Sequence, residues 1–245
     1  MHGLEQHDRS DMPEIVLHQL EISPFCDKVR RVLAYKGLAY RVCNVPMAKL
    51  GQLRRLSPAG KVPILELDGA VLHDSSDICR ALDKTAPSPP LFPEDPHARA
   101  QVDILEDWAD ESLYFFEMTM RFTWPYDRQR WVTQILKYDS PVMRRLARPL
   151  VPFLTRKQGV QQGLARRTEA DILRELDRHL AALAQLLNGA DYLVAGALTL
   201  ADIAVVSQLE CVAGSGKGLA AVGRQPAVVA WMERVESQTG GPALR

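Results

Sequence analysis

Five prolines within fourteen residues, Thr85-Ala-Pro-Ser-Pro-Pro-Leu-Phe-Pro-Glu-Asp-Pro-His-Ala98, divide this chain more sharply than any other feature. Proline lacks an amide donor and fixes its own φ, so neither a helix nor a central strand runs through such a stretch. The patterns on its two sides also differ in kind. Before it, Glu14–Ile22, Ala39–Val45, Val62–Leu67 and Ala70–Asp74 read as short strands. The last two are separated by Asp68-Gly69, a strong hairpin signal. Helical spacing fills the gaps: Val29, Val32, Leu33 and Lys36 share one face, an irregular helix falls near Met47–Leu56, and another runs from Ser75 to about Lys84. After the prolines the strand signals vanish. Helical patterns cover His97–Met120, Arg128–Tyr138, Pro141–Leu154, Leu164–Asn188, Leu200–Ala213 and Gln225–Ser237. The organisation expected is a flexible tail at 1–13, a βαβαββα α/β domain at 14–85, a linker at 86–96 and an all-helical domain at 97–245.

The crossover after the first strand makes the first strand pairs parallel, and the hairpin adds an antiparallel edge. This is a thioredoxin-like arrangement. Its first helix opens with Ser23-Pro24-Phe25-Cys26, which reads like a dithiol redox motif whose first cysteine has become serine.

Composition excludes several classes. Of 245 residues 47% are hydrophobic and 24% charged, as in ordinary globular proteins. Formal net charge is zero, which implies no nucleic-acid partner. The charge is unevenly spread, since Arg121–Arg167 holds eleven Lys/Arg against two Asp. That segment reads first as a solvated face, with an anionic substrate or a lipid surface as the other readings. The four cysteines form no CxxC pair, consistent with reduced thiols in the cytoplasm. No secretory leader, membrane-spanning run, metal-ligand spacing or phosphate-binding glycine loop is visible, so no metal is expected.

Three stretches carry chemistry. Ser23 is a favoured helix cap and Pro24 suits the first helical position. The same geometry, a hydroxyl beside a positive helix end, stabilises a thiolate. Cys26 falls one turn in and reads as a packed residue. In Lys61-Val62-Pro63-Ile64-Leu65 a cis proline would turn the Val62 backbone outward, where it can pair with an extended peptide. In Leu72-His73-Asp74-Ser75-Ser76-Asp77-Ile78, Ser75 or Ser76 caps a helix whose free amides suit a carboxylate, and Asp74 suits an ammonium. A thiolate cap, a backbone clamp and an amino-acid reader on one sheet edge describe a site for glutathione.

These stretches, with the proline linker and the helical half, resemble soluble glutathione S-transferases over nearly the whole chain. The Ser-Pro-Phe start looks like tau-class members, and like omega members with serine for cysteine. The resemblance implies that Ser23 activates the glutathione sulfur, that Phe25 packs beside it, and that Val62 and Pro63 bind the cysteinyl backbone. It further implies that Asp74 and Ser75 hold the γ-glutamyl end and Lys61 the glycyl carboxylate. Asp74 departs from the family's commoner glutamate or glutamine. Ala197-Leu-Thr-Leu-Ala-Asp-Ile203 matches the start of a buried core helix, with Thr199 and Asp202 as a capping-box pair and Leu198 and Ile203 as its staple. Tyr114, Phe115, Met118, Phe122 and Trp124 are the candidate lining for an apolar electrophile. The expected activity is a cytoplasmic, dimeric glutathione transferase with glutathione as co-substrate. Two alternatives stand beside it: a thiol transferase or reductase using Cys26, and a non-enzymatic interaction module with a basic, membrane-contacting surface.

Overall fold

The structure, a computed structural model, describes residues 13–240, so the expected tail at 1–13 lies, all but its last residue, outside the described residues. Strand β1 (Ile15–Gln19) alternates buried and half-buried side chains, with Ile15, Leu17 and Gln19 inward. It pairs in parallel with β2 (Arg41–Asn44) and antiparallel with β3 (Ile64–Leu67), which carries β4 (Ala70–His73) at its edge. The sheet order is β2-β1-β3-β4. Only one pair is therefore parallel, and the antiparallel share exceeds a single edge. Asp68 and Gly69 both take positive φ, 48° and 82°, as a tight hairpin of this twist requires.

Helix α1 (Pro24–Tyr35) joins β1 to β2 and ends with the Leu38 amide on the Leu33 carbonyl at 2.9 Å. Lys36 is buried as its spacing predicts, with its ammonium on Asp83 at 2.5 Å and on the Ala86 carbonyl at 2.7 Å. A 3-10 segment (Met47–Arg55) follows β2, and α2 (Ser75–Thr85) follows β4. The proline stretch then crosses to the helical half. It is not loose: Leu91 is fully buried, its carbonyl accepts from Leu200 at 3.0 Å, and Arg80 and Arg99 stack on the Phe92 ring.

The helical half comprises α3 (Pro96–Trp108), one π turn (Ala109–Leu113), α4 (Tyr114–Phe122), α5 (Arg128–Ile135), α6 (Pro141–Ala147) and α7 (Leu150–Gln162). It continues with α8 (Glu169–Leu186), α9 (Leu200–Ala213), α10 (Gly216–Gly223) and α11 (Pro226–Thr239). The pattern read as one helix over Pro141–Leu154 is two, because Pro149 cannot donate to the preceding turn. Helix α10 was hidden by its glycines, which are weak helix formers. Gly218 is there for space, since a Cβ would lie 1.9 Å from the Val212 carbonyl oxygen.

Helix α9 is the centre of the molecule, buried on every side and packed against α1, α3, α4 and α10. Its start is held by Asp202, which accepts from the Thr199 amide and hydroxyl, the Leu193 amide and the Trp231 indole at 2.8–2.9 Å. Leu198 and Ile203, the expected staple, are buried beside it. This plug fixes α1 from below, and α1 presents the candidate site.

Candidate active site

A cleft of about 400 Å³ opens between the sheet edge and α4. Ser23, Phe25, Lys61 and Val62 line one side, and Tyr114, Phe115, Met118 and Phe122 line the other. A smaller pocket of about 270 Å³ adjoins it, lined by Ser57, Lys61, Val62, Pro63, His73, Asp74 and Ser75. Phe25, Lys61, Val62, Asp110 and Glu111 belong to both, so the two form one continuous depression. Every sequence-derived candidate except Trp124 lines it. Helix α4 ends at Phe122, and the chain turns away before Trp124, which lies in the main core with the Lys217 ammonium 6.0 Å over its ring.

Ser23 is the α1 cap, with extended φ/ψ of −79° and 127°. Its Oγ accepts the Cys26 amide at 3.4 Å, which leaves the hydroxyl proton to donate elsewhere. Pro24 occupies the first helical position. Phe25 stands half-buried with its ring 5.1 Å from that of Tyr114, one aromatic contact across the cleft. Cys26 is fully buried, and burial pushes its thiol up to about 11 against the pull of Arg30 and the Ser23 hydroxyl. A neutral, enclosed thiol is a poor nucleophile.

The Val62–Pro63 peptide is cis, and the ladder to β1 begins only at Ile64. Lys61 is exposed at the rim. The cap of α2 differs from expectation: Asp74, not Ser75 or Ser76, accepts the Ser76 amide at 2.9 Å and the Asp77 amide at 3.3 Å. A short carboxylate at φ 72° reaches those amides directly. Ser75 is the first residue of the helix and is buried, whereas the Ser76 hydroxyl donates to Glu106 at 2.5 Å.

Several residues on the cleft wall carried no sequence signal. Asp110 and Glu111 face it because the π turn shifts their register relative to the flanking helices. Asp110 shares the buried Lys28 ammonium with Glu106, at 2.6 and 2.5 Å. Burial pushes the Asp110 carboxyl up to about 6 against the pull of Lys28. Burial opposes the charge on Lys28, but its two carboxylates outweigh it and hold its pKa above the ordinary value. Below Met118, Glu117 and Arg121 form a second buried pair at 2.6 Å, and Arg121 also donates to the Ile22 carbonyl at 3.1 Å. That bond fixes the residue preceding Ser23. Burial pushes Glu117 up to about 7 against the pull of Arg121. Arg121, read as part of a solvated basic run, is therefore an internal cation. Asp139 likewise reaches across from the helical half, accepting the Met47 and Ala48 amides at 2.9 Å each and fixing the segment that supplies Met47 and Leu50 to the cleft.

A thioredoxin-like sheet carrying a hydroxyl-capped helix start, backed by a helical half built on a capped central helix, defines the class. The glutathione S-transferase N-terminal domain model matches residues 17–90 and the C-terminal domain model matches 148–239, together more than half of the chain. The chain belongs to the glutathione S-transferase family, whose activity is glutathione transfer. Protein LigF of Sphingobium sp. is 25% identical over 221 residues, 86% of this chain and 83% of that protein. Maleylacetoacetate isomerase of Rattus norvegicus is 35% identical over 86 residues, 33% of this chain and 40% of that protein. Among solved structures, β-etherase LigF from Sphingobium sp. strain SYK-6 superposes with a TM-score of 0.64 at 23% identity, covering 91% of this chain and 95% of that one. FzlA from C. crescentus also gives 0.64, at 21% identity, covering 91% and 88%. Among the described residues no helix is long and apolar enough to cross a membrane, and no cluster of three metal-ligating side chains occurs.

Proposed function

We propose that this chain is a glutathione transferase in which Ser23 activates the bound glutathione thiol for attack on an apolar electrophilic small molecule. The observation that carries the reading is convergence: the Ser23 hydroxyl, the Val62 backbone and the Asp74-Ser75 helix start line one depression with the aromatic wall of α4. The γ-glutamyl end occupies the pocket at Asp74 and Ser75, the cysteinyl backbone lies along Val62 and Pro63, and Lys61 meets the glycyl carboxylate. Phe25 packs beside the sulfur. The thiol proton leaves to solvent while the Ser23 hydroxyl donates a hydrogen bond to the sulfur, supported by the positive end of α1. The thiolate then forms the new S–C bond as the electrophile's leaving group departs with its electron pair. Tyr114, Phe115, Met118 and Phe122 hold the electrophile; Trp124 has no part in this pocket. The protein's share is thiolate stabilisation and approach. A cytoplasmic homodimer completes the reading.

The test is Ser23→Ala. Conjugation at neutral pH falls sharply, while glutathione affinity by calorimetry stays within a few-fold. Unchanged turnover removes Ser23 from the mechanism.

A further inference from the structure

Helix α6 is the one described helix without a single buried residue. Its Val142 and Leu146 are 68% and 60% exposed, and beyond Pro149 the α7 residues Leu150, Phe153 and Leu154 are 54%, 65% and 54% exposed. On α7, Leu150, Phe153, Leu154 and Lys157 recur at helical spacing and share one outer face, while Val151, Thr155 and Gly159 form the inner one. An apolar surface of this kind marks a contact that the isolated chain does not make.

Charge identifies what covers it. From Ser140 to Arg167 the sequence contains seven Lys/Arg and no Asp or Glu. Among the described residues Arg144, Arg145, Arg148, Arg156 and Lys157 have no ion-pair partner. Arg144, Arg145 and Arg148 also line a depression of about 450 Å³ between α5 and α6, with Thr133, to which Arg148 donates at 2.9 Å. Guanidinium groups converging without a carboxylate suit phosphate oxygens. A second copy of this chain suits the face poorly, because a two-fold contact sets the same cationic patch against itself.

We propose that the outer face of α6 and α7 docks onto an anionic phospholipid surface. The arginines meet headgroup phosphates, and Val142, Leu146, Leu150, Phe153 and Leu154 enter the boundary between headgroups and acyl chains. Helix α7 walls the candidate active site through Thr155 and Gln158, so docking holds that cleft about one helix diameter, ~10 Å, from the lipid.

The experiment is flotation of the full chain with vesicles of phosphatidylcholine alone or mixed with phosphatidylglycerol. Binding is expected only with the anionic lipid, and added salt weakens it. Arg144→Gln combined with Arg145→Gln lowers partitioning on the order of 30-fold, about fivefold per charge. Phe153→Ser and, independently, Leu146→Ser lower it as well, with thermal melting and conjugation of a soluble electrophile unchanged. Inorganic phosphate at matched ionic strength leaves the protein on the vesicles. Three results overturn the proposal: no preference for anionic lipid, release by phosphate (which marks a site for a soluble anion), or a dimer broken by Phe153→Ser with no vesicle binding.

Discussion

Replacing Arg121 by methionine removes the cation on which the floor of the cleft depends. Arg121 is 2% exposed and Glu117 is 1% exposed, so neither has water to turn to. The variant loses the Glu117 contact at 2.6 Å, the bond to the Ile22 carbonyl at 3.1 Å, and the stacking of the guanidinium 4.5 Å from the Trp131 ring. Glu117 keeps an escape, because it can take up a proton. Burial already holds it at about 7, above its ordinary 4.5, and without the arginine it rises further. The native state therefore binds more protons than the unfolded chain between those values, and stability falls as pH rises through that window. Up to pH 7 wild type and variant share this slope, and their difference stays near the value of the lost bond and stacking less the desolvation cost of the buried guanidinium, about 1–2 kcal/mol. Above pH 7 the wild-type curve levels, whereas the variant loses a further ~1.4 kcal/mol per pH unit until its own Glu117 ionises. By pH 9 the gap approaches the ~3–5 kcal/mol typical of a broken buried pair. Urea unfolding at pH 6, 7.5 and 9 measures it. Adding Glu117→Gln to Arg121→Met abolishes the extra slope. A gap of equal size at pH 6 and pH 9 refutes the reasoning.

Two further outcomes follow from the same geometry. Asp139→Ala removes two charge-assisted bonds to the Met47 and Ala48 amides, costing about 3–6 kcal/mol, and hydrogen exchange at those two amides speeds up before the rest of the sheet opens. In native protein at neutral pH, iodoacetamide alkylates exposed Cys43 and spares the buried Cys26, Cys79 and Cys211. Fast labelling of Cys26 would instead favour the thiol-transferase alternative.

What was legible in the sequence was local. Ser23 and Pro24 announce a helix start whatever surrounds them, Asp68-Gly69 supplies two residues able to take positive φ, and Thr199 with Asp202 marks the first turn of α9 to the residue. The candidate lining of α4 followed from helical spacing as far as Phe122. Trp124 failed because spacing does not say where a helix stops. What was illegible depended on partners distant in sequence. Arg121 looked like one more surface charge until Glu117, Ile22 and Trp131 closed around it, and Lys28 is buried only because Glu106 and Asp110 come from another helix. The π turn that aims Asp110 at the cleft has no residue signature, since it changes hydrogen-bond register without glycine or proline. At α2 the competition among Asp74, Ser75 and Ser76 for the cap is settled by a backbone angle at Asp74 that composition does not encode.

Titration of the thiol of enzyme-bound glutathione, followed by thiolate absorbance in the ultraviolet, compares wild type with Ser23→Ala most directly. A hydrogen bond to a charged group contributes about 1.5–3 kcal/mol, so the bound thiol should ionise about one to two pH units lower in wild type than in the variant. Superimposable titration curves for the two proteins would contradict the assignment of Ser23 to the sulfur.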